Sequence, residues 1–222
     1  MFGVGQRGDL QATLAAILLD ESVIGSGAQT SPQAGKVREP ILRFVQWARA
    51  FNVSAVDAAN LWQLFDTSSS DYGLNQHPLR ARSVFNFYRP GYVAPGTLTG
   101  EAGLTAPEFQ IVNEGSLVGY VNFMTDFIAN YTDAEDYPGP LFDPDFTTEM
   151  SLADTPQALV DHLDVLLTAG RMQTATKEQI VDVVSTLPLE ESAGQTNQED
   201  RYRRAGVAIL MAITSPAYTV QR

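Results

Sequence analysis

An all-α fold is what this sequence predicts: an irregular bundle of about six to eight helices, interrupted by one long loop rich in proline, glycine and aromatic residues. Three observations point there. Apolar residues recur at three- and four-residue steps in one stretch after another. No strand-like alternation of useful length appears, and no 20–50-residue repeat. Pro78, Pro90 and Pro95, with Gly73, Gly91, Gly96 and Gly100, break the pattern between Asp66 and Gly103.

The elements follow in order. Asp9 is placed to cap a first helix with Leu10, Leu14, Ile17 and Leu18 as its inner stripe, ending near Asp20–Ser22. A Gly/Ser/Pro loop follows from Ile24 to Gln33. A second helix is expected from Glu39 to Phe51. Ile41, Phe44, Val45, Ala48 and Phe51 share its buried face, and Arg38, Arg43 and Arg49 lie away from that face's centre. Ser54 can cap a shorter helix through Leu61, Leu64 and Phe65, with Trp62 packed against it.

The loop from Asp66 to Gly103 is long for a compact domain, so it is either pinned by side chains or functional. Phe85, Phe87, Tyr88 and Tyr92 can supply the pins. The sharper reading makes it a cleft wall, with His77, Arg80, Arg82 and Arg89 as anion-binding groups. The structural reading comes first, because surface arginines are common.

The longest helix is expected over Thr105–Tyr131. Thr105 and Glu108 have capping-box spacing, and Pro107 falls in the first turn. Its stripe runs through Phe109, Val112, Ser116, Tyr120, Phe123 and Phe127, with Asn113 inside it and Glu114 at its edge. Asn113 and Glu114 are expected to tie the helix to a neighbouring loop, or, functionally, to face a cleft as ligand or acid–base groups. Glu108 and Asp126 fall on the polar arc. Gly115 and Gly119 leave room for a second backbone.

An acidic, proline-broken segment follows from Asp133 to Glu149; its spacing does not match an EF-hand loop. Pro156–Thr168 is a helix with Leu159, Val160, Leu163, Leu166 and Leu167 inward, His162 at the core edge and Gly170 beyond its end. Thr176 is placed to cap the next helix, which carries Ile180, Val183, Val184 and Leu187 and ends before Pro188. Glu190–Gln198 reads as a polar loop. A final helix from Gln198 to Thr214 is apolar all round over Ala205–Ile213, so it is buried on most sides. Arg201, Arg203 and Arg204 sit in its first turns, where the helix dipole disfavours cations, and require acidic partners.

Composition narrows function. The 222 residues, 44% hydrophobic and 18% charged, can bury a real core as a single helical domain over 1–222. No run spans a membrane, and no signal peptide opens the chain. Net charge of −12 argues against nucleic acid and anionic membranes as general partners. Cysteine is absent, and His77 and His162 are the two histidines. No phosphate loop, nucleophile elbow or zinc-protease motif is present, so no cofactor and no metal are expected, and no catalytic residue is assigned.

Long blocks then carry a resemblance: RGDLQATLAAILLD (7–20), KVREPILRFVQWARAF (36–51), SVFNFYRPGYVAPG (83–96), APEFQIVNEGSLVGYVNF (106–123) and RYRRAGVAILMAITSPAYTVQ (201–221). They resemble the bacterial domain-of-unknown-function family numbered 1800 (DUF1800), nearly from end to end of the chain. The resemblance implies a longer, often exported protein whose N-terminal half carries a Trp-His-Asn-His-Phe-like segment that this sequence lacks. The expectation is therefore a C-terminal half with a periplasmic or extracellular setting. A protein partner, or self-association, would cover the surface left by a missing N-terminal half. Two functions compete. One is a non-catalytic interaction or scaffold module. The other is part of an enzyme or ligand-binding protein for an anionic or carbohydrate substrate, with a cleft of His77, Arg80, Arg82, Arg89, Asn113 and Glu114. Convergence of those six on a pocket would favour the second.

Overall fold

The computed structural model describes residues 7–25, 27, 35–55, 66–129, 142–192 and 195–221. The chain divides into two compact units, Met1–Lys36 with Val220–Arg222, and Val37–Thr219. Helices dominate: α1 (Leu10–Leu18), α2 (Glu21–Ile24), α3 (Pro40–Ala50), α4 (Leu98–Glu101), α5 (Glu114–Ala129), α6 (Thr147–Ser151), α7 (Pro156–Thr168), α8 (Thr174–Thr186), α9 (Gln198–Thr214) and α10 (Pro216–Thr219). The strands are two residues each: β1 (Lys36–Val37), β2 (Ser54–Ala55), β3 (Phe142–Asp143), β4 (Glu191–Ser192), β5 (Gln195–Thr196) and β6 (Val220–Gln221). The class is all-α.

In the first unit, Asp9 caps α1 by accepting from the Ala12 N–H at 2.9 Å, as expected. The expected inner stripe is not one: Leu10, Leu14, Ile17 and Leu18 are all exposed. The helix has period and cap, but its apolar face is exposed. Asp20 starts the short α2 by accepting from Ser22. Most of the Ile24–Gln33 loop lies outside the described residues.

The second unit is built around α9. Ala205, Gly206, Ala208, Ile209, Ala212 and Ile213 are buried, and the helix packs on α5, α6, α7, α8 and α10. Small residues let the neighbours come close. A Cβ on Gly206 would sit 3.0 Å from the Ile128 side chain of α5. Aromatics fill the other side of the core, where Phe44 and Trp47 of α3, with Phe51 at its C-cap, meet Phe123 and Phe127 of α5, then Phe142 and Phe146. Edge-to-face pairs such as Phe44–Phe123 (5.3 Å) and Phe51–Phe146 (5.0 Å) add roughly 0.5–1.5 kcal/mol each beyond the area they bury. β2 pairs antiparallel with β3, Ser54 opposite Asp143, and β4 pairs with β5 as a hairpin inside the expected polar loop.

Several expectations need correction. The long helix does not start at Thr105. Pro107–Gln110 is a 3₁₀ turn, the chain breaks at Ile111–Asn113, and α5 starts at Glu114. The Asn113 side chain forces the restart. Its Oδ1 accepts from the Ser116 N–H at 3.1 Å, and Ser116 Oγ accepts from the Asn113 N–H at 2.8 Å, a reciprocal cap. Glu108 is therefore buried by the 3₁₀ turn, whereas Asp126 faces water as expected. Arg43 is 1% exposed rather than peripheral. Leu166 and Val183 are exposed. Thr176 lies inside α8, which begins at Thr174. Ser54 is in a strand; Leu61, Trp62, Leu64, Phe65, Tyr131 and the acidic segment before Phe142 lie outside the described residues. By contrast, α7 and α9 have the expected bounds. Arg201 and Arg203 have the acidic partners the helix dipole called for, Asp154 at 2.5 Å and Glu199 at 3.1 Å. Arg204 instead donates to the carbonyls of Leu187 and Ala153.

Candidate functional site

The 66–106 loop is anchored at its base by polar side chains. Thr67 is buried and donates through Oγ1 to the Gln76 carbonyl at 2.6 Å. Its N–H donates to His77 Nδ1 at 3.2 Å. Gln76 in turn donates to Glu39 Oε2 at 2.6 Å and accepts from the Ile41 N–H, tying the loop to the start of α3. Tyr88 donates to the other Glu39 oxygen at 2.6 Å. Burial, then the hydrogen bond to Glu39 and the charges of Glu39 and Glu108, push the Tyr88 hydroxyl well above the usual phenol range. Asn75 donates to the Ile111 carbonyl at 3.0 Å, and the Arg89 N–H donates to Gln110 at 2.5 Å. These two bonds fasten the loop to the 3₁₀ turn.

Backbone packing completes the anchorage. A Cβ on Gly119 of α5 would lie 2.1 Å from the Ser70 carbonyl oxygen, so the loop main chain rests directly on the helix. The expected close approach is thus met at Gly119. At Gly115 the nearest atom is the Asn113 side chain at 3.5 Å, an ordinary contact.

The loop's tip differs from its base. Leu79, Val84 and Phe85 are 104%, 96% and 76% exposed. Leu79 and Asn86 adopt left-handed backbone angles, φ 64 and 71. For a branched side chain such as Leu79 this conformation costs about 1–2 kcal/mol. The expected anchors therefore divide: Tyr88 is half-buried and bonded, whereas Phe85 points to solvent.

The six residues proposed for a cleft fall into separate places. Arg80 and His77 share Asp66, at 2.5 Å and 3.7 Å. Hydrogen bonds from Ser68, with help from Arg80 and His77, hold the Asp66 carboxyl below its usual range. Among the described residues, the guanidinium groups of Arg82 and Arg89 make no hydrogen bond or ion pair, and both residues are exposed. Asn113 is an exposed helix cap, and Glu114 is exposed in the first turn of α5, where the helix dipole favours it. No hydrogen bond or ion pair among the described residues joins the arginines to Asn113 or Glu114. Sequence reading did not single out Asp66, Glu39 or Gln76. Each acts through a partner 11 to 49 residues away, and nothing local signals that.

Three other features carry chemistry. Arg43 is buried with Nε donating to the Arg38 carbonyl at 2.8 Å and its guanidinium 5.4 Å from the Tyr120 ring centroid. Tyr218 donates to the Arg43 carbonyl at 2.5 Å. Burial lowers the Arg43 pKa and raises those of Tyr120 and Tyr218. Second, buried Glu149 meets His162 Nε2 at 2.7 Å, so His162 borders the core as expected. Third, an apolar groove of about 200 Å³ lies between α5 and α9, lined by Thr125, Ile128, Tyr202, Gly206, Val207 and Leu210 with the Glu199–Arg203 ion pair. Among the described residues, no three His, Asp or Glu side chains gather as a metal cage, and no helix is long and apolar enough to cross a membrane.

No curated protein and no solved structure matches the chain. One family model does, over residues 4–220, and a match of that extent gives no support to reading the chain as the C-terminal half of a longer domain. The blocks that suggested a resemblance therefore belong to one continuous match, and the chain is a member of the family described as Protein of unknown function (DUF1800).

Proposed function

We propose that this protein is a non-catalytic interaction module that holds a protein partner on the tip of its 77–89 loop. One observation carries the reading: Leu79, Val84 and Phe85 stand almost fully in solvent on a base fastened to α3, the 3₁₀ turn and α5. Aromatic and arginine side chains, here Phe85, Arg82 and Arg89, are enriched at interfaces, and a pre-organised surface has little ordering entropy left to lose on docking. The exposed leucines of α1 add a second apolar face of the same character. A periplasmic or extracellular setting belongs to the same reading and rests on the family resemblance; fractionation of cells expressing the full gene tests it. The rival reading, a ligand cleft for an anionic or carbohydrate substrate, has no contact among the described residues to support it.

The test is site-specific photocrosslinking in cells. A photoreactive residue at position 85 is expected to give adducts of discrete mass, and one at the exposed Val165 of α7 is expected to give none. Equal adduct patterns at both positions, or none at position 85, would overturn the reading.

A further inference from the structure

We infer that the Arg82–Ser83 bond is a cleavage site for trypsin-like, arginine-specific proteases, and that the cut leaves both pieces folded together as one particle. The inference stands apart from the docking reading, since cleavage needs no partner seated on the tip.

A protease takes its substrate as an extended strand and pairs with free main-chain groups on both sides of the scissile bond. Helices and strands refuse this, because their own bonds occupy those groups; protruding loop tips allow it. Residues 80–85 meet the requirement. Left-handed backbone at Leu79 and Asn86 brackets them. All but the half-buried Ala81 are exposed. Among the described residues, the N–H groups of Ala81, Arg82, Ser83 and Val84 donate to nothing. On the far side a turn has to open, held by the Asn86 N–H on the Ser83 carbonyl and the Phe85 N–H on Ser83 Oγ, each at 3.2 Å.

Charge selects the enzyme class. An arginine side chain fills the acidic specificity pocket of a trypsin-like protease. The Arg82 guanidinium is unpaired among the described residues. The chain has no aspartate or glutamate between Tyr72 and Gly100 to repel that pocket. The other basic residues are each less open to attack. Asp66 holds Arg80 at 2.5 Å. Arg89 precedes Pro90, which has no N–H. Arg43, Arg49, Lys177 and the three arginines of α9 lie within helices. Lys36 lies in β1, and the Arg38 N–H donates to the Thr219 carbonyl. Arg171 precedes buried Met172, whose N–H donates to Asp164 at 2.9 Å. A cut after Arg7 trims residues 1–7 and leaves the second unit whole.

Hydrolysis adds water across the bond. The hydroxyl joins the Arg82 carbonyl carbon as the C–N bond breaks, and the protons end on the Ser83 nitrogen, which leaves a carboxylate at 82 and an ammonium at 83. The pieces stay joined because the core spans the cut. Phe44 and Trp47 on one side pack on Phe123 and Phe127 on the other. Across it Glu39 accepts from Tyr88, Asn75 donates to the Ile111 carbonyl, and Ser70 rests on Gly119.

The test is limited digestion of the full chain with trypsin, followed by intact-mass spectrometry, sizing chromatography and circular dichroism. The first cut between Lys36 and Arg204 is expected at Arg82. Its products, 1–82 and 83–222, should elute together at the uncut volume with the helical signal kept. Arg82→Gln is expected to slow cutting in the loop by about tenfold or more, since what remains depends on local opening. A first cut elsewhere in that range, fragments that separate, or an Arg82→Gln chain cut in the loop at the wild-type rate overturns the inference. A chain cut as expected that gives no adducts from position 85 loses the docking reading and keeps this one.

Discussion

Two sets of arginines behave in opposite ways in this protein. Arg43 and Arg204 are 1% and 9% exposed and donate to main-chain carbonyls: Arg38 for the first, Leu187 and Ala153 for the second. Arg82 and Arg89 are exposed on the long loop, and their guanidinium groups bond to nothing among the described residues. The first set staples segments together; the second is available. The difference teaches that in an acidic chain a guanidinium need not be matched to a carboxylate to be structural. Five fixed donors can satisfy carbonyls that helix ends and turns leave without partners.

The largest effect should come from a staple. Arg204→Met leaves the buried Ala153 carbonyl and the half-buried Leu187 carbonyl without their donor, and should lower unfolding free energy by about 3 kcal/mol. Arg82→Met should change it by less than about 0.5 kcal/mol. Urea unfolding of both variants measures this, and similar midpoints would erase the distinction. A second effect comes from packing. Gly119→Ala drives a Cβ into the Ser70 carbonyl and should cost about 1–3 kcal/mol, whereas Gly115→Ala should be nearly neutral. Hydrogen exchange in residues 66–76 would report whether the loss is local to the seam.

The next effect concerns pH. Tyr120 and Tyr218 flank Arg43, and burial raises both hydroxyls above the ordinary phenol value. The folded state therefore holds protons that the unfolded state releases near pH 10. Their contribution is complete below about pH 10 and is lost as pH rises toward the folded values. Ultraviolet titration should show these tyrosines ionising together with unfolding; ionisation near pH 10 in the folded protein would count against their burial. The smallest effect is expected at the loop's own ion pair. Asp66 and Arg80 are half-exposed or more, so Asp66→Asn should leave the thermal midpoint at neutral pH within experimental scatter. Its signature is at low pH. The carboxyl is held below its usual range, so wild-type protein loses this contribution as pH falls below about 4, and the variant does not.

The fold class was legible, and so were the elements whose signals are local. Pro156 opens α7, Ser215-Pro216 closes α9, and the apolar run Ala205–Ile213 marks the central helix. Asp9 was readable as a cap because an aspartate before an apolar period has one obvious use. What misled was equally physical. The apolar period of 105–131 is continuous, yet Asn113 and Ser116 form a cap in its middle, and a capping pair competes with continuing the helix. Periodicity sets Arg43 away from the centre of the buried face because it sees only Cβ direction, while the long stem reaches a site made by Tyr120 and Tyr218. The loop's tethers were invisible for the same reason: Glu39 means nothing in sequence until Gln76 and Tyr88 arrive. The proposed site residues were found as a cationic stretch, but their grouping around Asp66 came only with coordinates.

The seam between Ser70 and Gly119 has an evolutionary corollary. Its loop side is a carbonyl, which every amino acid supplies, so Ser70 can change freely without moving the loop. Its helix side tolerates one residue type. Variation should thus accumulate along one strand of the contact and stop at a single position on the other, and relatives with a side chain at 119 should carry their loop on a different path.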